Sequence, residues 1–129
     1  MKELVLQAEK AMENAYAPYS GFRVGAALLT KSGKVYLGCN IENAAFSPTI
    51  CAERTAVAKA VSEGEREFAA IAVVGGKDGK IAGICPPCGV CRQVLSEFCG
   101  PDFPVCLGKG SGAYETVLLK DLLPLGFSL

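Results

Sequence analysis

The sequence predicts an α/β fold: five strands forming a sheet, with helices packed on it. Three observations carry this. Five short runs rich in β-branched and apolar residues read as strands. Three longer runs, free of proline and with helical spacing of small and apolar residues, read as helices. The order along the chain is α-β-β-α-β-α-β-β, which closes into helices on a sheet rather than a bundle or a β-sandwich.

The first helix is expected from about Lys2 to Tyr16. Leu4, Ala8, Ala11 and Ala15 recur at three- and four-residue steps, with Leu6 and Met12 alongside. Pro18 and Gly21 end it and make a loop. Phe22 to Thr30 is a strand, Lys31-Ser32-Gly33-Lys34 a turn, and Val35 to Cys39 the returning strand. Asn40 to Thr49 is a polar loop holding Pro48. A second helix runs from about Cys51 to Glu63 and stops at Gly64. Phe68 to Gly76 is nearly continuously apolar, as a central strand buried on both faces would be. Pro86-Pro87 fixes the approach to a third helix, which opens at Cys88 and breaks at Gly100-Pro101. Val105 to Leu107 and Tyr114 to Leu118 are strands around a glycine-rich turn, and Leu119 to Leu123 is a last helical turn before Pro124. No repeat, low-complexity stretch or linker interrupts residues 1–129, so one domain is expected.

Composition bounds the function. Thirteen acidic and thirteen basic residues cancel, and no basic tract is present, so the electrostatic footprint of a nucleic-acid binder is missing. Apolar runs fall well short of the roughly 20 residues a membrane helix needs. No charged-then-apolar leader opens the chain, and the seven cysteines are an odd number. Reduced thiols or metal ligands in the cytoplasm are therefore expected rather than a disulfide framework. Half the residues are hydrophobic, which suggests that apolar surface is covered by other subunits.

The chemistry concentrates in two stretches, Cys51-Ala52-Glu53-Arg54 and Pro87-Cys88-Gly89-Val90-Cys91-Arg92-Gln93. Each opens a helix, so two positive dipole ends would face one set of sulfurs. Three thiolates at Cys51, Cys88 and Cys91 suit Zn²⁺ and leave a tetrahedral ion one ligand short, as catalytic sites do. The chain has no histidine, which removes a His ligand, a His base and every His-dependent triad. Acid–base work falls to a carboxylate, and Glu53 stands two residues after Cys51. A structural Cys₄ zinc site is the alternative, since Cys85 lies three residues before Cys88 and Cys39 is a further thiol. Glu53 would then be an ordinary first-turn acid favoured by the helix dipole.

The chain resembles the small, homotetrameric, zinc-dependent cytidine deaminases. The motifs are Ala17-Pro18-Tyr19-Ser20, Phe22-Arg23-Val24-Gly25-Ala26-Ala27-Leu28, Asn40-Ile41-Glu42-Asn43, the two cysteine stretches, and Leu122-Leu123-Pro124 with Phe127. The resemblance implies a three-layer sandwich with a mixed five-stranded sheet. It implies zinc, one ion per subunit, on Cys51, Cys88 and Cys91, with the remaining cysteines as bystanders. It implies hydrolysis of cytidine or deoxycytidine to uridine or deoxyuridine and ammonia, in pyrimidine salvage. Hydroxide generated at the metal attacks C4, and Glu53 carries the protons. Arg54 would hydrogen bond to thiolate sulfur and withdraw charge. Asn40 and Glu42 would meet the ribose hydroxyls, Phe22 the pyrimidine face, and the Ala52 backbone the base edge. Phe46 stands where the family commonly has Tyr, so it brings no hydroxyl. Phe46 and Phe127 are the residues the family sends across subunit boundaries. Relatives acting on a nucleoside-like antibiotic are a further alternative.

Overall fold

The computed structural model describes all residues, Met1–Leu129. Its elements are α1 (Lys2–Ala11), β1 (Phe22–Thr30), β2 (Val35–Cys39), α2 (Ala52–Ser62), β3 (Phe68–Lys77), α3 (Gly89–Phe98), β4 (Pro104–Gly110), β5 (Ala113–Leu118) and α4 (Leu119–Leu122). The five strands form one sheet in the order β2-β1-β3-β4-β5. β3 and β4 pair in parallel, and every other neighbouring pair is antiparallel. The sheet is therefore mixed.

Alternation along the strands divides the core between two faces. On one face Leu4, Val5, Ala8 and Met12 of the N-terminal helical segment cover Ala27, Ala70, Ala72, Val74 and Cys106. On the other, Ala52, Ala56, Val57 and Ala60 of α2, Leu95 of α3 and Leu119 of α4 cover Ala26, Leu28, Ile71, Val73, Val105 and Leu107. Helix, sheet and helices make three layers. β3 is buried at every residue except Ala69 and Lys77, as a strand covered on both faces must be.

Two glycines let helices press onto strand backbone. A Cβ on Gly25 would stand 2.1 Å from the Ala8 carbonyl oxygen, and one on Gly38 would stand 2.3 Å from that of Ala52. Any side chain at Gly38 would push the start of α2 off the sheet.

The boundaries differ from expectation where long-range pairing overrides local pattern. α1 stops at Ala11 and tightens into a 3₁₀ turn, Met12–Asn14, instead of running to Tyr16. The reason is that Tyr16 leaves helical geometry to bridge Ile41: its N–H donates to the Asn40 carbonyl at 2.9 Å. β4 is longer than Val105–Leu107 because pairing with β5 carries it from Pro104 to Gly110 through a bulge. Gly64, with φ of 97°, ends the turn after α2. No helix is long and apolar enough to cross a membrane.

The topology decides where chemistry gathers. β2 and β3 are both antiparallel to β1, so they run in the same direction and end at the same edge of the sheet. The segments leading to α2 and α3 leave from that edge, and β1 begins there with Phe22 opposite Lys77.

Candidate active site

Cys51 is the N-cap of α2 and Cys88 the N-cap of α3, both with extended backbone (ψ of 156° and 168°). Cys91 lies in the first turn of α3 and is fully buried. The Cys51 and Cys88 sulfurs are 3.7 Å apart, those of Cys88 and Cys91 3.6 Å, and all three lie within 4.8 Å of one another. Zn–S bonds of 2.3 Å in a tetrahedron require sulfurs about 3.8 Å apart. The Cys51–Cys88 and Cys88–Cys91 separations match that value, and the donor set suits zinc. No fourth sulfur or carboxylate oxygen belongs to this group. Cys85 is outside it, with its sulfur and the Phe22 ring packed over the bare backbone of Gly75.

Electrostatics at the cluster favour one anionic sulfur, that of Cys51. The Cys51 thiol is lowered to about 5, first by the hydrogen bond from Cys91 and then by Arg54, against the opposing effect of burial. Cys91 is pushed up because it holds its proton against that thiolate. Arg54 Nη2 donates to Cys51 Sγ at 3.6 Å and to the Thr49 carbonyl at 3.5 Å. Its Nε–H is buried without a partner.

Glu53 is 4% exposed. Burial, the largest cause, and the nearby Cys51 charge raise its carboxyl to about 7, while its own backbone N–H and Arg54 oppose the rise. A buried carboxyl poised near neutrality beside three clustered thiols can both take and give a proton.

The remaining sequence-named residues divide into three groups. Phe22, Asn40 and Glu42 converge on one loop. Asn40 is 8% exposed; its Oδ1 accepts the Val24 N–H at 2.9 Å and its Nδ2 donates to the Phe22 carbonyl at 2.8 Å. Glu42 Oε1 accepts the N–H groups of Tyr19 (2.9 Å) and Ser20 (3.1 Å), and Oε2 accepts the Ser20 hydroxyl. These bonds, that of the Ser20 hydroxyl foremost, hold the Glu42 carboxyl below its usual range. Glu42 lines a cavity of about 380 Å³ with Tyr19, Ser20, Phe46 and Thr49. Ala52 is fully buried at the start of α2, between Cys51 and Glu53.

Phe46 and Phe127 are 74% and 68% exposed. Phe46 sits at a left-handed φ of 59°, in the loop between β2 and α2. Phe127 lines a cavity together with Cys99, Pro101 and Leu119, at the far end of α3 from Cys88. Within one chain it is not brought to the thiols. Two contributors escaped the sequence reading. Ser20 stood inside a quoted motif without a role. Arg92 follows Cys91, but its carbonyl partners come from residues that only the fold brings near.

A family model described as the cytidine and deoxycytidylate deaminase zinc-binding region matches residues 1–107. The chain belongs to this cytidine and deoxycytidylate deaminase family. It is 51% identical over 128 residues to the cytidine deaminase of Sporosarcina psychrophila, covering 99% of this chain and 91% of that one. It is 50% identical to that of Halalkalibacterium halodurans, covering 97% and 92%. A crystal structure of the cytidine deaminase from Burkholderia pseudomallei superposes with a TM-score of 0.88 at 49% identity, covering 97% of each chain. The three-layer deaminase fold of this family is thus the fold of this chain.

Proposed function

We infer that the protein is a zinc-dependent cytidine deaminase, hydrolysing the amino group of cytidine to give uridine and ammonia. The observation that carries this is the group of three sulfurs, with no fourth protein donor, beside the buried carboxyl of Glu53. Cys51, Cys88 and Cys91 would hold one Zn²⁺ per subunit. When bound, zinc supplies the Lewis acidity that makes water a nucleophile near neutral pH.

Glu53 takes a proton from water and delivers it to N3 of the pyrimidine, which makes C4 electrophilic. The water oxygen would bond to C4, and Glu53 carries the remaining proton of that oxygen to the amine, so that the C4–N bond breaks as C4=O forms and ammonia leaves. Arg54 shares the sulfur charge. The Ala52 backbone meets the base edge, Phe22 packs on the pyrimidine face, and Asn40 and Glu42 meet the ribose hydroxyls. The Asn40 amide retains one N–H and one lone pair beyond its bonds to β1, so a sugar hydroxyl finds both a donor and an acceptor there.

Deoxycytidine is accepted as well, and the role is pyrimidine salvage in the cytoplasm. Residues 1–129 work as one domain within a homotetramer with shared sites. The exposure of Phe46 and Phe127 supports this, because both rings are free to enter a neighbouring subunit.

The test is ammonia release from cytidine by the zinc-loaded protein, with and without a strong chelator, for wild type and Glu53→Gln. Chelation abolishes turnover and added zinc restores it. The carboxamide variant loses at least the ~10²–10⁴-fold of one acid–base group. Wild-type turnover by the carboxamide variant would refute the mechanism, and no ammonia from wild type would refute the function.

A further inference from the structure

We propose that Ser20 is a positioning residue: its hydroxyl ties the Glu42 carboxylate to the backbone of Phe22, so that sugar and base contacts are set as one unit. The proposal rests on the deaminase reading above and adds a residue to it.

The geometry is a closed circuit. Ser20 Oγ donates to Glu42 Oε2 and accepts the Phe22 N–H at 2.9 Å. The other side of the same residue is held by Asn40, whose Nδ2 donates to the Phe22 carbonyl. Both polar groups of the Phe22 backbone thus connect to side chains that face the sugar. Ser20 is also tethered from the opposite strand, where Lys77 Nζ donates to its carbonyl and Asp78 N–H donates to the Gly21 carbonyl at 2.7 Å.

Counting lone pairs makes the role specific. A carboxylate offers about four acceptor positions. Tyr19 N–H and Ser20 N–H take two on Oε1, and the Ser20 hydroxyl takes one on Oε2. One position on Oε2 is left for a ligand hydroxyl, and the Ser20 hydroxyl fixes its direction. Losing that hydroxyl frees the carboxylate to turn and leaves the Phe22 N–H without its acceptor. The phenyl ring would then sit loosely over its site. Both contacts hold the substrate already bound, so their loss is read first in KM.

The experiment is steady-state ammonia release from cytidine by zinc-loaded wild type, Ser20→Ala, Ser20→Thr, Glu42→Gln and the Ser20→Ala/Glu42→Gln pair. Ser20→Ala raises KM about tenfold with kcat within about threefold, the size expected for one hydrogen bond to a charged group. Ser20→Thr keeps the hydroxyl and restores KM to within about threefold of wild type. On the Glu42→Gln background, Ser20→Ala raises KM by less than it does in wild type, because the part that passes through the carboxylate is already lost and only the part that passes through the Phe22 N–H remains. Unchanged KM in Ser20→Ala, failure of Thr to restore it, or full additivity in the pair overturns the proposal while the deaminase reading stands. A wild type that releases no ammonia from cytidine removes both.

Discussion

Arg92 is joined to Leu122 across thirty residues of sequence: its Nη1 donates to the Leu122 carbonyl at 2.8 Å, while its Nε donates to the Pro87 carbonyl at 2.7 Å. One guanidinium thereby holds the residue before Cys88 against the end of α4. Charge-assisted bonds of this kind contribute about 1.5–3 kcal/mol each in favourable settings. Arg92→Ala is expected to lose about 2–4 kcal/mol of stability and to release zinc to a chelator faster. Lysine keeps the charge but not the fork, so Arg92→Lys falls between. Urea midpoints and the rate of dye-detected zinc release check this. A midpoint equal to wild type in the alanine variant would show that the clasp contributes nothing.

Arg54 gives a complementary outcome. Because it bonds to sulfur and not across the core, Arg54→Ala leaves the fold intact and weakens zinc retention by about 10–100-fold, as loss of an outer-shell partner does. Metal content after dialysis against graded chelator measures it. Wild-type zinc content together with wild-type turnover would remove the role.

Much of this was legible in the sequence, and the reasons are physical. The strand and helix cores carry strong patterns, and the thiol spacing fits one helical turn at Cys88 and Cys91. What was hidden depends on distant partners. The early end of α1 is set by Tyr16 pairing with the loop after β2, which no local propensity reveals. Ser20 and Glu42 are 22 positions apart, so their bond leaves no trace in spacing. Cys85, which the resemblance already leaves a bystander, is seated by the fold over Gly75, a contact that its spacing to Cys88 does not show.

Metal-free protein should show a pH signature of Glu53. The unfolded carboxyl ionises near 4.5 and the folded one near 7, so between them the folded chain keeps a proton the unfolded chain has lost. Stability from this group is full below pH 4.5 and declines as pH rises to about 7. Glu53→Gln lacks the decline, so its stability relative to wild type rises through that window by about 3 kcal/mol and then levels. Cys51 acts in the opposite sense, between about 5 and 9, in both proteins. Urea titrations of chelated wild type and variant at several pH values provide the check. A constant difference from pH 4.5 to 8 would contradict the buried-carboxyl account.

Thiol labelling reads the same cluster. After zinc removal at pH 7.5, Cys51 is already a thiolate and alkylates first. Burial pushes Cys99 up to about 12 and seals Cys106, so neither reacts while the fold holds. Peptide mapping by mass spectrometry distinguishes them, and equal labelling of Cys99 and Cys51 would be the contrary result.

Gly38→Ala tests how tightly α2 is seated. Its methyl meets the Ala52 carbonyl and the Ala56 N–H, which are backbone and cannot swing aside. A cost of about 1–3 kcal/mol follows. Cys51 shifts with the helix, so zinc affinity falls too. Calorimetric zinc titration and thermal melts check both. Unaltered values would mean that the helix sits more loosely on β2 than the contact distances imply.

Cys51 and Cys88 stand 37 positions apart, with all of β3 lying between them. An ion gripping both binds the folded chain and has no ready-made site in the unfolded one, so its binding free energy adds to the stability of the fold. Scarcity of the metal would then be felt first as turnover of the polypeptide itself. Cells starved of zinc are expected to degrade this protein and hold little of it, rather than to store an idle form awaiting its ion.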